Sequence, residues 1–88
     1  MTLTRDETLV LLIEECGEVI QAATKCLRFG WSRAQPEYGV NHEVLAAEVG
    51  DLLGVMRALE LRDEIVSKHA SGKMEKAIRA KELFGSVT

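Results

Sequence analysis

Residues 9–27 read LVLLIEECGEVIQAATKCL, and their spacing decides the fold. Leu9, Leu12, Ile13, Cys16, Val19, Ile20, Ala23 and Leu27 recur at helical intervals and gather on one side of a 3.6-residue repeat. The other side carries Glu14, Glu18, Gln21 and Lys25, with Glu15 nearer the apolar boundary. Upstream, Thr4 followed by Glu7 is a capping-box pattern, and Asp6 and Glu7 suit the positive end of a helix. Downstream, Gly30 is a stop signal. The spacing predicts one long amphipathic helix from about Thr4 to about Arg28.

A second helix is predicted from Asn41, a good N-cap residue, to about Glu60. Its apolar stripe is Val44, Leu45, Leu52, Val55 and Leu59. Glu48 stands in the middle of that stripe and Asp51 at its edge. An ionised carboxylate among apolar side chains is strongly disfavoured unless a metal or a basic group neutralises it. Glu14 and Glu18, four residues apart on the first helix, repel one another unless a cation sits between them. A solvated polar face would account for Glu14 and Glu18, but not for Glu48. Five carboxylates in two helical clusters, Glu14, Glu15 and Glu18 with Glu48 and Asp51, suggest a divalent-cation site.

The third helix is predicted from a turn at Leu61-Arg62-Asp63, with Asp63 as its cap, to about Phe84, with Gly85 as its stop. Gly72 weakens its middle and is a point where it could split in two. Val66, Ala70, Lys73, Ala77, Ala80 and Phe84 share one face. Lys73 in that small-residue stripe reads either as a structural salt-bridge partner or as a phosphate ligand facing the carboxylates. The segment between the first two helices, residues 29–41, holds the only proline and reads as a loop of roughly a dozen residues, long for a small helical domain. Arg28 and Arg33 there offer phosphate contacts. Phe29 and Trp31 either offer a stacking surface for a base or plug the end of the bundle.

The chain has 88 residues, one domain's length, and is 47% hydrophobic and 28% charged, the balance of a globular protein. A domain this short is marginal alone, and two cysteines cannot staple it, so oligomerisation is the expected remedy. Cys16 and Cys26 read as reduced, buried thiols. A net charge of −3 with scattered basic residues gives no nucleic-acid footprint. The start Met1-Thr2-Leu3-Thr4-Arg5-Asp6 has no leader pattern, and the longest purely apolar run, residues 9–13, is far short of a membrane span. A cytoplasmic protein without a membrane partner is the expectation. No zinc spacing, P-loop or nucleophile–base constellation stands out. The fold class expected is all-α, a small bundle of three to four helices completed by oligomerisation.

Glu14-Glu15-x-x-Glu18 followed by Glu48-x-x-Asp51 resembles the paired signature of the MazG-like, all-α nucleoside triphosphate pyrophosphohydrolases. Glu18-Val19-Ile20-Gln21-Ala22 and Lys25-x-x-Arg28-Phe29-Gly30 are similar to small phage or bacterial members, and the likeness runs from about Leu9 to Phe84. It implies cleavage between the α and β phosphates, giving a monophosphate and pyrophosphate, with Mg²⁺ as cofactor and Mn²⁺ serving in some members. It implies Glu14, Glu15, Glu18, Glu48 and Asp51 as metal ligands, and Glu14 or Glu15 as the base that activates water. Lys25, Arg28 and Lys73 become candidates for the phosphate tail, and Trp31 for the base. It also implies a homodimer or homotetramer. The chain departs from many relatives at Ala77, where they carry asparagine, and at Leu83-Phe84-Gly85, where they continue into tyrosine-proline.

Two other functions fit the same pattern. A phosphoribosyl-ATP pyrophosphohydrolase shares the fold, but such relatives usually carry tyrosine-histidine where this chain has Leu53-Gly54. A non-catalytic helical oligomerisation or binding module would be expected to lose Glu48 first.

Overall fold

The computed structural model describes residues 2–84, with side chains to Ala80. Three helices dominate: α1 (Arg5–Phe29), α2 (Asn41–Ala58) and α3 (Asp63–Phe84). A two-stranded antiparallel hairpin, β1 (Ala34–Gln35) and β2 (Gly39–Val40), lies between α1 and α2. The stop expected at Gly85 lies outside the described residues.

The start of α1 is built as its sequence predicts. The Thr4 hydroxyl accepts from the Glu7 N–H at 3.1 Å, and the Glu7 carboxylate accepts from the Thr4 N–H at 2.8 Å. Two of the helix's unpaired donors are thereby satisfied. Gly30 ends the helix at φ +110°, a conformation that favours glycine, and its N–H donates to the Cys26 carbonyl.

Residues 29–41 are not the irregular loop expected. Tyr38 N–H donates to the Gln35 carbonyl, closing a four-residue turn with Pro36 second and Glu37 third. Glu37 has φ +74°, the sign that the third position of a type II turn demands. The turn pairs Ala34 with Val40 and Gln35 with Gly39.

Asn41 is not the N-cap of α2. That place belongs to Val40, which makes no side-chain cap bond. Asn41 is the first helical residue and is only 2% exposed; its Nδ2 donates to the Gly30 carbonyl at 2.8 Å. Loop carbonyls take over the capping role: Asn41 N–H donates to Arg33 O and His42 N–H to Trp31 O.

α1 and α2 run antiparallel. Leu3 and Thr8 line one hollow with Ala58 and Leu59, while Ala22 and Gln21 line another with Val44 and Asn41. The stripe of α2 is as expected: Val44, Leu45, Glu48, Leu52, Val55 and Leu59 are all half-buried. The stripe of α1 divides. Leu12, Val19 and Ala23 are half-buried with the α2-facing residues, but Leu9, Ile13, Cys16, Ile20 and Leu27 are exposed. Cys16 is therefore exposed and Cys26 half-buried in the single chain, not enclosed thiols.

α3 does not pack along α1 or α2 as those two pack on each other. It runs unbroken past Gly72, and Asp63 is its first residue rather than its cap. The chain forms a slab of 49 × 36 × 15 Å, hardly thicker than one helix with its side chains. Its radius of gyration, 15.8 Å, exceeds the roughly 12 Å of a compact domain this long. Among the described residues Ala22 is the one buried apolar side chain, and no helix is long and apolar enough to cross a membrane.

Candidate metal centre

The antiparallel pairing of α1 and α2 brings the two acidic motifs together. Glu48 and Asp51, three residues apart on α2, share a face, and Glu15 meets them from α1. One carboxylate oxygen from each lies within 4.8 Å of the other two. Glu15 Oε2 and Glu48 Oε2 are buried and have no hydrogen-bond partner. Buried oxygens left without donors are costly, and a cation among them would remove that cost.

Electrostatics point the same way. Burial, then the charges of Glu18, Asp51 and Glu14, raises the Glu15 pKa above the usual carboxylate value. For Glu48 the largest cause is a side-chain hydrogen bond with Glu18, followed by burial and the charges of Glu18, Asp51 and Glu15. Crowded carboxylates bind protons more tightly than isolated ones; a divalent ion among them would reverse that preference.

Of the five acidic residues singled out in the sequence, Glu15, Glu48 and Asp51 converge. Glu18 borders the group through Glu48. Glu14 is exposed and acts on Glu15 only through its charge.

The basic and aromatic candidates are spread out. The Lys25 ammonium lies 5.6 Å from the centroid of the Tyr38 ring, at the hairpin. The Arg28 guanidinium covers Phe29 at 5.2 Å. Trp31 stacks on His42, with centroids 5.4 Å apart and planes 17° from parallel. Lys73 is exposed on α3 and is not brought to the carboxylates, because α3 is not packed along the helices that carry them.

A cavity of about 260 Å³ opens beside the cluster, with Glu18 and Glu48 at one end and Lys25, Gln35 and Tyr38 at the other. Gln21, Gln35, Tyr38 and Asn41 are lining residues that the sequence reading did not place in a site. The available signal was the length of the connecting segment, since long connections in small domains are often functional. Comparison with protein-family models, with curated proteins and with solved structures gives no match.

Proposed function

We propose that the chain is a metal-dependent nucleoside triphosphate pyrophosphohydrolase of the MazG-like type, cleaving its substrate to a nucleoside monophosphate and pyrophosphate. The observation that carries this reading is the convergence of Glu15, Glu48 and Asp51 around two buried, unpartnered oxygens. An all-carboxylate donor set suits a hard cation, Mg²⁺ or Mn²⁺, which shares its remaining positions between water and phosphate oxygens. When bound, such an ion supplies charge neutralisation of the phosphates and a more acidic water.

The chain's own groups do the rest. Glu48 and Asp51 would hold the ion from α2 and Glu15 from α1, with Glu18 bordering them beside Glu48. Of the two candidates for general base, Glu15 lies inside the cluster and Glu14 outside it. A Glu15 oxygen not engaged with the ion is the one placed to take a proton from water there. The reading includes a homo-oligomer, supported by the thin slab and by the exposed stripe on α1.

The test is pyrophosphate release from a panel of ribo- and deoxyribonucleoside triphosphates, with Mg²⁺, with Mn²⁺ and with EDTA. Metal-dependent release of equal amounts of monophosphate and pyrophosphate is the expected result. A folded, metal-loaded protein that turns over no nucleotide would overturn the reading.

A further inference from the structure

The cavity beside the carboxylates has a chemistry that holding phosphates does not use. A triphosphate tail calls for several cations or N–H groups, and this cavity offers one ammonium. Apart from Glu18 and Glu48 at the carboxylate end, the rest of its lining is neutral. Ala22 and Val44 are apolar, Gln21 and Gln35 carry carboxamides, and Tyr38 brings an aromatic ring. At about 260 Å³ it lies below the roughly 300–1,000 Å³ of pockets that enclose a whole drug-sized ligand. It is the right scale for one uncharged end of a nucleotide whose phosphates lie at the carboxylates.

Its far wall is preorganised. The buried Asn41 side chain ties the start of α2 to the Gly30 carbonyl, and backbone bonds from Asn41 and His42 to Arg33 and Trp31 close the base of the hairpin. The turn at Pro36-Glu37 then carries Gln35 and Tyr38 into the lining. Lys25 rests over the Tyr38 ring and forms no ion pair among the described residues. An ammonium only donates, so its partner in the cavity must accept. A carboxamide can do either.

We infer that this cavity is a nucleoside subsite and that the hairpin reads the base: Tyr38 packs against it, Gln21 and Gln35 bond its edge, and Lys25 selects an exocyclic carbonyl oxygen. Among the standard bases adenine alone lacks such an oxygen and offers the ammonium only ring nitrogens, so adenine nucleotides are the poorest ligands. The inference takes from the proposed function only that the ligand is a nucleotide.

The experiment compares inosine and adenosine triphosphates, which differ at the C6 substituent and the adjoining N1 proton, in steady-state hydrolysis by the wild-type chain and by Lys25→Met, Gln35→Ala and Tyr38→Ala. Tyr38 is 71% exposed, so its truncation leaves the fold intact, and helical circular dichroism checks each variant. The wild type should prefer inosine. Gln35→Ala and Tyr38→Ala should raise KM by about 10- to 100-fold with little change in kcat. Lys25→Met should abolish the preference. Unchanged KM and base ranking in variants that still hydrolyse, or a wild-type preference for adenosine, overturns the subsite while leaving the hydrolase reading standing. If the wild type hydrolyses nothing, calorimetric titration with inosine and adenosine monophosphates in EDTA decides separately. Inosine monophosphate binding that Gln35→Ala weakens supports the subsite, and no binding overturns it.

Discussion

Glu15 on α1 and Glu48 on α2 each hold a buried carboxylate oxygen with no hydrogen-bond partner, and the two side chains meet with Asp51 within 4.8 Å. No packing requirement explains the pair, since a leucine at either position would fill the same seam without the repulsion. What the arrangement does provide is a set of oxygen ligands fixed by two helices rather than by loops.

Glu48→Gln removes one charge and keeps the shape. Metal-dependent hydrolysis should fall at least about 100-fold, because even residues that only orient metal ligands commonly cost 10- to 100-fold. Mg²⁺ should raise the melting temperature of the wild type and leave that of the variant unchanged. Glu14→Gln, at an exposed position outside the cluster, should keep both responses. A Glu48→Gln protein that is still stabilised by Mg²⁺ would remove Glu48 from the ligand set.

The same cluster makes the stability of the metal-free protein depend on pH. Glu15 and Glu48 bind protons more tightly in the folded chain than at their ordinary value of 4.5. Their contribution is therefore fully present below that value and lost as pH rises through the raised ones. Glu7 and Glu64 act in the opposite sense. Glu7 is lowered by its hydrogen bonds with Thr4, and Glu64 by a bond to its own backbone and then by Arg62. Their contribution fades as pH falls through the lowered values, and it does so equally in wild type and Glu48→Gln. In EDTA, melting temperatures measured from about pH 4.5 to about pH 7 should fall more steeply for the wild type than for Glu48→Gln, and saturating Mg²⁺ should flatten the wild-type curve. Parallel curves in EDTA would show that the crowding of carboxylates has no energetic consequence.

Asn41→Ala tests the clamp under the hairpin. The amide is 2% exposed and donates to Gly30 O, so truncation removes a part-buried hydrogen bond, leaving that carbonyl a 3.4 Å bond from the Arg33 N–H, and should cost about 0.5–1.5 kcal/mol. For a chain of this size each kcal/mol shifts the melting temperature by about 4–8 °C. Urea melts of wild type and variant check the magnitude. If Val40 and the loop carbonyls alone hold the start of α2, the two melts will coincide.

Local signals were legible and non-local ones were not. Thr4 and Glu7, three residues apart, specify the start of α1 without reference to anything distant, and the cap forms as read. Glu48 was legible for a related reason: a charge in an apolar stripe is anomalous on its own helix, whatever packs against it. Asn41 was misread because its residue type fits an N-cap, while its actual partner, Gly30 O, is reached only when the chain turns back on itself. The hairpin escaped because its strands are two residues long, too short for alternation to register. Lys73 stands in a stripe on its own helix, which says nothing about whether that helix meets the one that carries the carboxylates.

The apolar residues of α1 supply the remaining prediction, because they are too many for one neighbour. Leu9, Ile13, Cys16 and Ile20 recur at spacings of four, three and four, and Leu27 continues the row. All five are exposed, Ile13 at 71% and Leu27 at 89%, on a different face from Leu12, Glu15 and Val19. Val49 and Leu53 are exposed on α2 as well, and Leu53, Met56, Leu61 and Val66 line an open hollow where α2 meets α3. A slab 15 Å thick with one buried apolar side chain among the described residues has too little core to hold itself together. The row has no charged residue in it, so a second copy of the same face meets no like-charge repulsion, as a two-fold interface requires. Ile13→Asp combined with Ile20→Asp should convert a dimer or tetramer into a monomer in light scattering and lower its melting temperature. Cys16, in the middle of the row, gives a readout that does not depend on the variant folding. Its thiol should react slowly in the wild-type assembly and speed up on dilution below the dissociation constant. A wild-type chain that is folded and monomeric at high concentration, with Cys16 reacting at the rate of a free thiol, would show that the row stays bare and the stability comes from elsewhere.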